Sequence, residues 1–158
     1  MIRYSLKHEN AQEPVRGSNW AAGFDLHAAE KIRDTKHELW YDTGVAFAIP
    51  SGMYGDLRAR SSVSEMGLTL ANGAGVIDAD FRGTIQFRFY KIGQTRRKEW
   101  SAGGEEYEGY FPAGPSKYEV GDRVGQIVIT PCYKGEIDEA EKLSDTSRGQ
   151  GSFGSTGQ

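Results

Sequence analysis

The segment Thr84-Ile-Gln-Phe-Arg-Phe-Tyr90 decides the fold class, because apolar and polar residues alternate along its whole length. Successive side chains of a β-strand point to opposite faces of a sheet, so Ile85, Phe87 and Phe89 share one face. This pattern predicts a strand with one buried face and one exposed face.

Three further stretches, residues 45–49, 53–60 and 124–130, also predict strands, and the continuous apolar run of the third predicts burial on both faces. Glycine supplies 21 of the 158 residues, which suits short strands joined by tight turns. We therefore expect an all-β fold, an antiparallel sandwich or barrel such as a jelly roll. Only residues 136–143 have a helix-forming composition, and we expect a short helix there.

The composition excludes several classes of function. A net charge of −3 and a pI near 5.6 provide no general attraction to nucleic acid polymers or anionic membranes. One cysteine, Cys132, excludes an internal disulfide and a cysteine-based metal cluster, and the three histidines lack zinc-ligand spacing. The chain has no long apolar run and no signal-like N-terminus, so we expect no membrane attachment and a cytoplasmic location.

We expect residues 1–147 to form a single β domain with an inserted surface segment at about 93–116. That segment exceeds the usual loop length of a compact domain, and it combines the basic run Thr95-Arg-Arg-Lys98 with acidic and aromatic residues. Two interpretations stay open, a surface hairpin and a surface that binds a protein partner.

Residues 148–158, Arg-Gly-Gln-Gly-Ser-Phe-Gly-Ser-Thr-Gly-Gln, are too polar and glycine-rich to fold alone. Glycine allows the main chain to approach oxyanions closely, Arg148, Ser155 and Thr156 add donors, and Phe153 offers a flat face to a planar ring. The tail therefore suits a flexible lid over a nucleotide, with a disordered terminus as the alternative. Its glycine spacing also matches the dinucleotide pattern, but no strand-turn-helix context accompanies it.

Two internal motifs have residues suited to phosphate chemistry. Asp78 and Asp80 are two positions apart, so in a strand both carboxylates would point to one side, and one could act as a general base. An ordinary turn is the competing interpretation. The sequence Arg58-Ala-Arg60-Ser-Ser62 combines guanidinium groups and hydroxyls that match phosphate oxygens, although a solvated strand end would have a similar composition.

Five ordered segments resemble the five motifs of the homotrimeric dUTPases: residues 22–26, 60–62, 75–83, 121–126 and 148–157. The resemblance implies a jelly-roll protomer and a homotrimer with three active sites at subunit junctions. It also implies hydrolysis of dUTP to dUMP and pyrophosphate, with Mg²⁺ on the triphosphate and without a direct protein ligand. Such an activity limits uracil in DNA and supplies dUMP for thymidylate synthesis.

The resemblance also implies a role for each matching residue. Asp78 would hold the water that attacks the α-phosphorus. The residues expected to contact phosphate are Arg60, Ser61, Ser62, Gln126, Arg148, Ser155 and Thr156. Those expected to contact uracil or deoxyribose are Asn72, Gly75, Ile77, Phe81 and Phe153. The acids expected to be structural are Asp25, Asp80 and Asp122.

Four positions depart from the usual family pattern. Phe81 stands where tyrosine is usual and keeps the ring that crowds a ribose 2′-hydroxyl. Ser62 and Ser152 each replace a common glycine, and Gly125 replaces a common alanine. These changes bear on local geometry and leave the expected reaction unchanged.

Two alternatives remain beside the hydrolase. The dCTP deaminases resemble the dUTPases in fold, but Arg88 stands where their catalytic glutamate is expected. A regulatory protein that keeps a nucleotide pocket and uses residues 93–116 to bind a partner is the other alternative.

Overall fold

The computed structural model describes residues 1–92, 94–101, 103–112 and 118–151. This part of the chain contains one 3₁₀ turn, Ser61–Ser64, and no α-helix. Its eleven strands are β1 (Arg3–Leu6), β2 (Phe24–His27), β3 (Glu30–Asp34), β4 (Glu38–Ala48), β5 (Met53–Arg58), β6 (Leu68–Leu70), β7 (Gly75–Ile77), β8 (Thr84–Lys91), β9 (Gln94–Trp100), β10 (Glu106–Pro112) and β11 (Arg123–Pro131). The described helices include none long and apolar enough to cross a membrane.

The strands form two large antiparallel sheets and one separate hairpin. The first sheet has the order β1-β4-β8-β6, with β3 also paired to β4, and the second has the order β2-β11-β5-β7. The third sheet is the β9–β10 hairpin, which turns at Gly104 with a φ of +81°. The expected all-β sandwich is confirmed.

One apolar core joins the two large sheets. Ile85, Phe87 and Phe89 of β8 are fully buried, while the intervening residues of the strand are exposed, as the alternating sequence predicted. Leu57 of β5 and Ile127 of β11 enter the same core from the second sheet. Burial of these side chains is the main favourable contribution to folding.

Strand β11 is only partly buried on its second face, in contrast to the prediction. Val124, Gly125 and Ile127 are buried, whereas residues 126 and 128–130 are half-buried. The buried Gly125 explains the departure from alanine, because a Cβ at this position would overlap the ring of Phe87.

The helix expected at residues 136–143 is wrong. The structure has no helix there, and every residue from 133 to 150 is exposed, including Ile137 at 94% and Leu143 at 81%. A short helix is marginal in water without an apolar face packed on a neighbour. Helix-forming composition was therefore not sufficient.

Candidate active site

An open groove lies beyond the point where the pairing between β6 and β8 ends. Strand β6 pairs with β8 only from Phe89 to Lys91, and the last contact is the N–H of Ala71 donating to the carbonyl of Arg88 at 2.9 Å. The chain then crosses to the other sheet, where β7 pairs with β5. Residues 84–87 of β8 therefore present one edge to the groove.

Gln86 presents a main-chain donor and acceptor along this edge. It lies opposite Asp42, whose own carbonyl accepts the N–H of Ala29 on the far side of β4. Asp42 and Gln86 are therefore a non-hydrogen-bonded antiparallel pair, in which the main-chain groups of both residues point away from each other. The N–H and C=O of Gln86 consequently point into the groove.

Three of the residues expected to contact uracil or sugar lie around Gln86. The groove contains two cavities, of about 230 and 360 Å³, and Gln86 lines both. Asn72 lines the first cavity, and Ile77 and Phe81 line the second. The structure thus brings these residues to one groove.

Two glycines keep the groove open. A Cβ at Gly83 would lie 2.6 Å from the Cζ atom of Phe81, so only glycine lets the ring occupy its place. A Cβ at Gly75 would lie 3.0 Å from the Cβ of Leu57, because the short β7 is pressed against β5. Both contacts are with neighbouring side chains and leave little room for a larger residue.

Asp78 and Asp80 follow β7 in a turn rather than a strand. The N–H of Phe81 donates to the carbonyl of Asp78 at 3.1 Å, and the Arg82 guanidinium donates to the carbonyls of Ala79 and Phe81 at 2.8 Å each. Both carboxylates are exposed and line an open cleft of about 560 Å³. Asp78 and Asp80 therefore lie in a turn, and both line the same cleft.

Tyr54, Arg82, Cys132 and Lys134 line the same cleft. The positively charged Arg82 and Lys134 place cations near the Asp78 turn, which suits an anionic substrate. No sequence motif indicated that β5 and the segment after β11 would meet at this turn.

Arg60 lies in a separate pocket of about 310 Å³, beside Arg123, Asp122 and His27. Its Nη1 donates to the carbonyl of Arg123 at 3.2 Å, and Nη1 of Arg123 donates to Oδ2 of Asp25 at 3.0 Å. Burial and the nearby Arg123 lower the pKa of His27. The lowered pKa favours the neutral form of the imidazole beside two guanidinium groups.

The remaining motif residues near this pocket have distinct environments. Ser61 is exposed at the start of the 3₁₀ turn, while the hydroxyl of Ser62 is buried next to the phenol of Tyr118. Oδ2 of Asp122 accepts the N–H of Glu119 at 2.8 Å, and the structural role expected for this acid stays a prediction.

Gln126 of β11 pairs with Arg58 at the same end of the second sheet. A Cβ at Gly23 would lie 2.7 Å from Oε1 of Gln126, so the first motif makes room for the side chain of the fourth. The sequence predicted that both motifs matter but gave no sign of this contact.

A single chain does not bring Asp78 and Arg60 together. Ile77 lies opposite Gly55 at the start of β5, whereas Arg60 follows the far end of that strand. The four residue steps from Tyr54 to Arg58 span roughly 13 Å at about 3.3 Å per residue. Arg60 and Asp78 therefore lie at opposite ends of β5.

The tail residues lie mostly outside the described part of the chain. Arg148 is exposed, and its Nε donates to the carbonyl of Gly151 at 3.0 Å. Phe153, Ser155 and Thr156 fall outside the described residues. Their roles stay predictions.

A family model described as dUTPase matches residues 9–96 and 114–157. The chain belongs to the dUTPase family. The resemblance found in the five motifs is thereby confirmed, and the family model leaves out residues 97–113, which cover most of the β9–β10 hairpin.

Curated relatives include a dUTPase of Escherichia phage T5, named deoxyuridine 5′-triphosphate nucleotidohydrolase, which is 36% identical over 99% of each chain. The human mitochondrial protein of the same name is 33% identical over 99% of this chain, which spans 55% of the human protein's length.

Among solved structures, a dUTPase of Staphylococcus bacteriophage 80alpha with dUpNHpp is similar along the whole chain. The TM-score is 0.79 at 28% sequence identity, with 100% of this chain and 99% of the phage chain covered. The similarity to this phage structure covers the whole chain, including residues 97–113, which the family model leaves out.

The described residues contain no group of three or more His, Cys, Asp or Glu side chains placed to enclose a metal ion. Mg²⁺ in nucleotide enzymes keeps several of its waters and is bound largely through substrate phosphates. The open, polar cleft beside Asp78 leaves room for such a hydrated ion on a triphosphate.

Proposed function

We propose that this chain hydrolyses dUTP to dUMP and pyrophosphate. The observation that carries the proposal is the position of Gln86, whose main-chain donor and acceptor face the groove between Asn72 and Phe81. Membership of the dUTPase family and relatives named deoxyuridine 5′-triphosphate nucleotidohydrolase support the same reaction.

Uracil matches the edge of Gln86 by its hydrogen-bonding pattern. Its N3–H can donate to the main-chain carbonyl while its neighbouring O4 accepts the main-chain N–H. Cytosine places an acceptor at N3 and an amino group at C4, so in the same position acceptor would face acceptor and donor would face donor. An unpaired buried polar group is costly, and this cost would reject cytosine.

The sugar would lie against the ring of Phe81, which is 42% exposed and fixed above Gly83. This ring would crowd a ribose 2′-hydroxyl and favour deoxyribose. The missing tyrosine hydroxyl does not alter that steric role.

For the chemical step, we assign Asp78 as general base. The carboxylate accepts a proton from a water molecule while the water oxygen forms a bond to the α-phosphorus in line with the leaving group. The bond from the α-phosphorus to the bridging oxygen breaks, and pyrophosphate leaves with its electron pair. Mg²⁺ on the triphosphate would supply neutralisation of the phosphate charge.

The separation of Asp78 from Arg60 supports an oligomeric site. One copy of the chain would supply the groove and Asp78, and a second copy would supply Arg60, Ser61, Ser62 and Gln126 to the phosphate chain. With the tail from a further copy, this gives a homotrimer with three shared sites. Arg148, Phe153, Ser155 and Thr156 are the tail contacts in this proposal.

A deaminase function is disfavoured by the environment of Arg88. Its guanidinium pairs with Glu38 and lies 4.5 Å above the ring of Trp40, and the hydrogen bond to Glu38 raises its pKa. A fixed cation at this position does not replace the acid that deamination needs.

A second role in protein binding is favoured by the β9–β10 hairpin. Most of it lies outside the family model, and the side chain of Trp100 is 70% exposed. An exposed large aromatic residue on a hairpin that the family does not require suits a partner surface.

The proposed reaction is tested by incubating the protein with each deoxynucleoside triphosphate and Mg²⁺ while pyrophosphate and ammonia are assayed separately. Pyrophosphate from dUTP alone is the expected result. Ammonia from dCTP would identify a deaminase, and binding of nucleotide with neither product would identify a regulatory protein.

A further inference from the structure

Strand β4 carries an irregularity directly opposite the groove edge of β8. Asp42 lies opposite Gln86 and Ala46 lies opposite Thr84, so the three residues 43–45 of β4 face the single residue Ile85. Bulges of this kind redirect side chains and are frequent beside active sites. The bulge therefore adjoins the edge proposed to read the base.

The carboxylate of Asp42 collects three donors at this bulge. Oδ1 accepts the main-chain N–H of Gly44 at 2.7 Å. Oδ2 accepts the hydroxyl of Thr84 at 2.7 Å and the side-chain amide of Gln86 at 3.0 Å. Asp42 thus ties the bulge to Thr84 and Gln86 of the groove edge.

The bulge itself is completed by Thr43 and Gly44. The hydroxyl of Thr43 donates to the carbonyl of Ile85 at 2.9 Å and accepts the N–H of Val45 at 3.2 Å. Gly44 has a φ of +65°, which favours glycine. These contacts satisfy the local main chain, so the connection from Asp42 to Thr84 and Gln86 is additional to what the bulge requires.

We propose that Asp42 is a positioning residue for base selection. By holding Thr84 and Gln86, its carboxylate fixes the segment of β8 whose main-chain N–H and C=O meet the base. A displacement of this segment would misalign both hydrogen bonds at once, and it would leave the water-activating Asp78 in place. This inference rests on the proposed hydrolysis of dUTP.

The test uses Asp42→Asn and the matched pair Thr84→Val and Thr84→Ser. Asparagine keeps the size of the side chain but replaces one acceptor oxygen with a donor, and valine removes the hydroxyl that serine keeps. Steady-state kcat and KM are measured with dUTP and dCTP, and the Kd of dUpNHpp is measured by calorimetry. Asp34→Asn serves as the control, because it alters an exposed ion pair with Lys91 away from the groove.

We expect Asp42→Asn and Thr84→Val to raise KM for dUTP and the Kd of dUpNHpp about tenfold, as for loss of a charge-assisted hydrogen bond. The kcat should change by less than about threefold, and the preference for dUTP over dCTP should fall. The KM and Kd of Thr84→Ser should be much closer to the parent values than those of Thr84→Val. Should Asp42→Asn fail to fold, the pair at Thr84 still decides the question.

An unchanged dUTP preference in Asp42→Asn, or equal defects in Thr84→Ser and Thr84→Val, would overturn the inference. A loss confined to kcat would also overturn it. Failure of the parent protein to hydrolyse dUTP would instead overturn the proposed function, so the two failures are distinguishable.

Discussion

The phenol of Tyr41 forms two hydrogen bonds with the main chain of Tyr118, donating to its carbonyl at 2.7 Å and accepting its N–H at 3.0 Å. The rings meet edge to face, with centroids 6.0 Å apart. Both residues are buried. This pair fixes the main chain at Tyr118, three residues before the fourth motif begins at Gly121.

Tyr41→Phe is expected to lower the free energy of unfolding by about 3 kcal/mol, because it leaves a buried N–H and a buried carbonyl without their partner. Urea denaturation at neutral pH measures the change. A loss below about 0.5 kcal/mol would show that the two main-chain groups find other partners.

The same phenol predicts a pH dependence of stability. Burial raises the pKa of Tyr41 above the usual value of about 10, so its contribution is complete below that pH and is lost as the pH rises toward the folded-state pKa. The urea midpoint should therefore fall more steeply above pH 10 in the parent than in Tyr41→Phe. If the urea midpoints of the two proteins fell equally with pH, the pH dependence would not come from the Tyr41 phenol.

Asp78→Asn is expected to reduce single-turnover hydrolysis of dUTP by about 10²–10⁴-fold, because the amide keeps the shape but cannot accept the proton of water. The affinity for dUpNHpp should stay within a few-fold of the parent. Asp80→Asn is the matched control on the same turn and should retain most of the rate. Equal rates for Asp78→Asn and the parent would exclude Asp78 as the base.

Mixing Asp78→Asn with Arg60→Ala is expected to restore activity after subunit exchange. The two residues lie at opposite ends of β5, so a shared site can combine the intact half of each variant. Each variant alone, carried through the same exchange, is the control. A monomeric parent in sedimentation, or no recovery despite exchange shown by labelled subunits, would contradict the shared site.

Gly125→Ala is expected to destabilise the fold by about 1–3 kcal/mol, because the added methyl group would enter the space of the Phe87 ring. As a single substitution, Phe87→Leu should lower the stability of the fold. In the double variant it should reduce the destabilisation caused by Gly125→Ala. Thermal and urea unfolding of the four proteins form the double-mutant cycle. Strict additivity would show that the two positions do not compete for space.

Replacing residues 94–112 by a short glycine-containing turn is expected to leave kcat and KM for dUTP near the parent values, because the hairpin contains none of the five motifs. Sedimentation and circular dichroism confirm folding and assembly of the variant. A folded, assembled variant without activity would place the hairpin in the active site.

Much of the fold could be predicted from local sequence. The alternation in β8 identified its buried face, because strand periodicity depends only on the spacing of apolar residues. The composition of residues 136–143 failed as a guide, because helix formation there required a packing surface that the described chain does not provide.

The site was predictable in its residue types but not in its grouping. The ordered motifs predicted Asp78, Arg60 and Phe81 as site residues, yet no sequence pattern indicated that β5 separates the first two. The network of Asp42, Thr84 and Gln86 was also missed, because it depends on a bulge that pairs residues 42 positions or more apart.

The sequence by itself determined the all-β class, the five ordered motifs and hence the dUTPase family, because these depend on residue identity and spacing along the chain. Only the tertiary structure decided which residues meet. Strand pairing at large sequence separation placed Gln86 on an open edge, pressed Phe87 into the space beside Gly125, and divided the motif residues between the two ends of β5. Those outcomes follow from sheet register and packing, which act through space and leave no fixed spacing in the sequence.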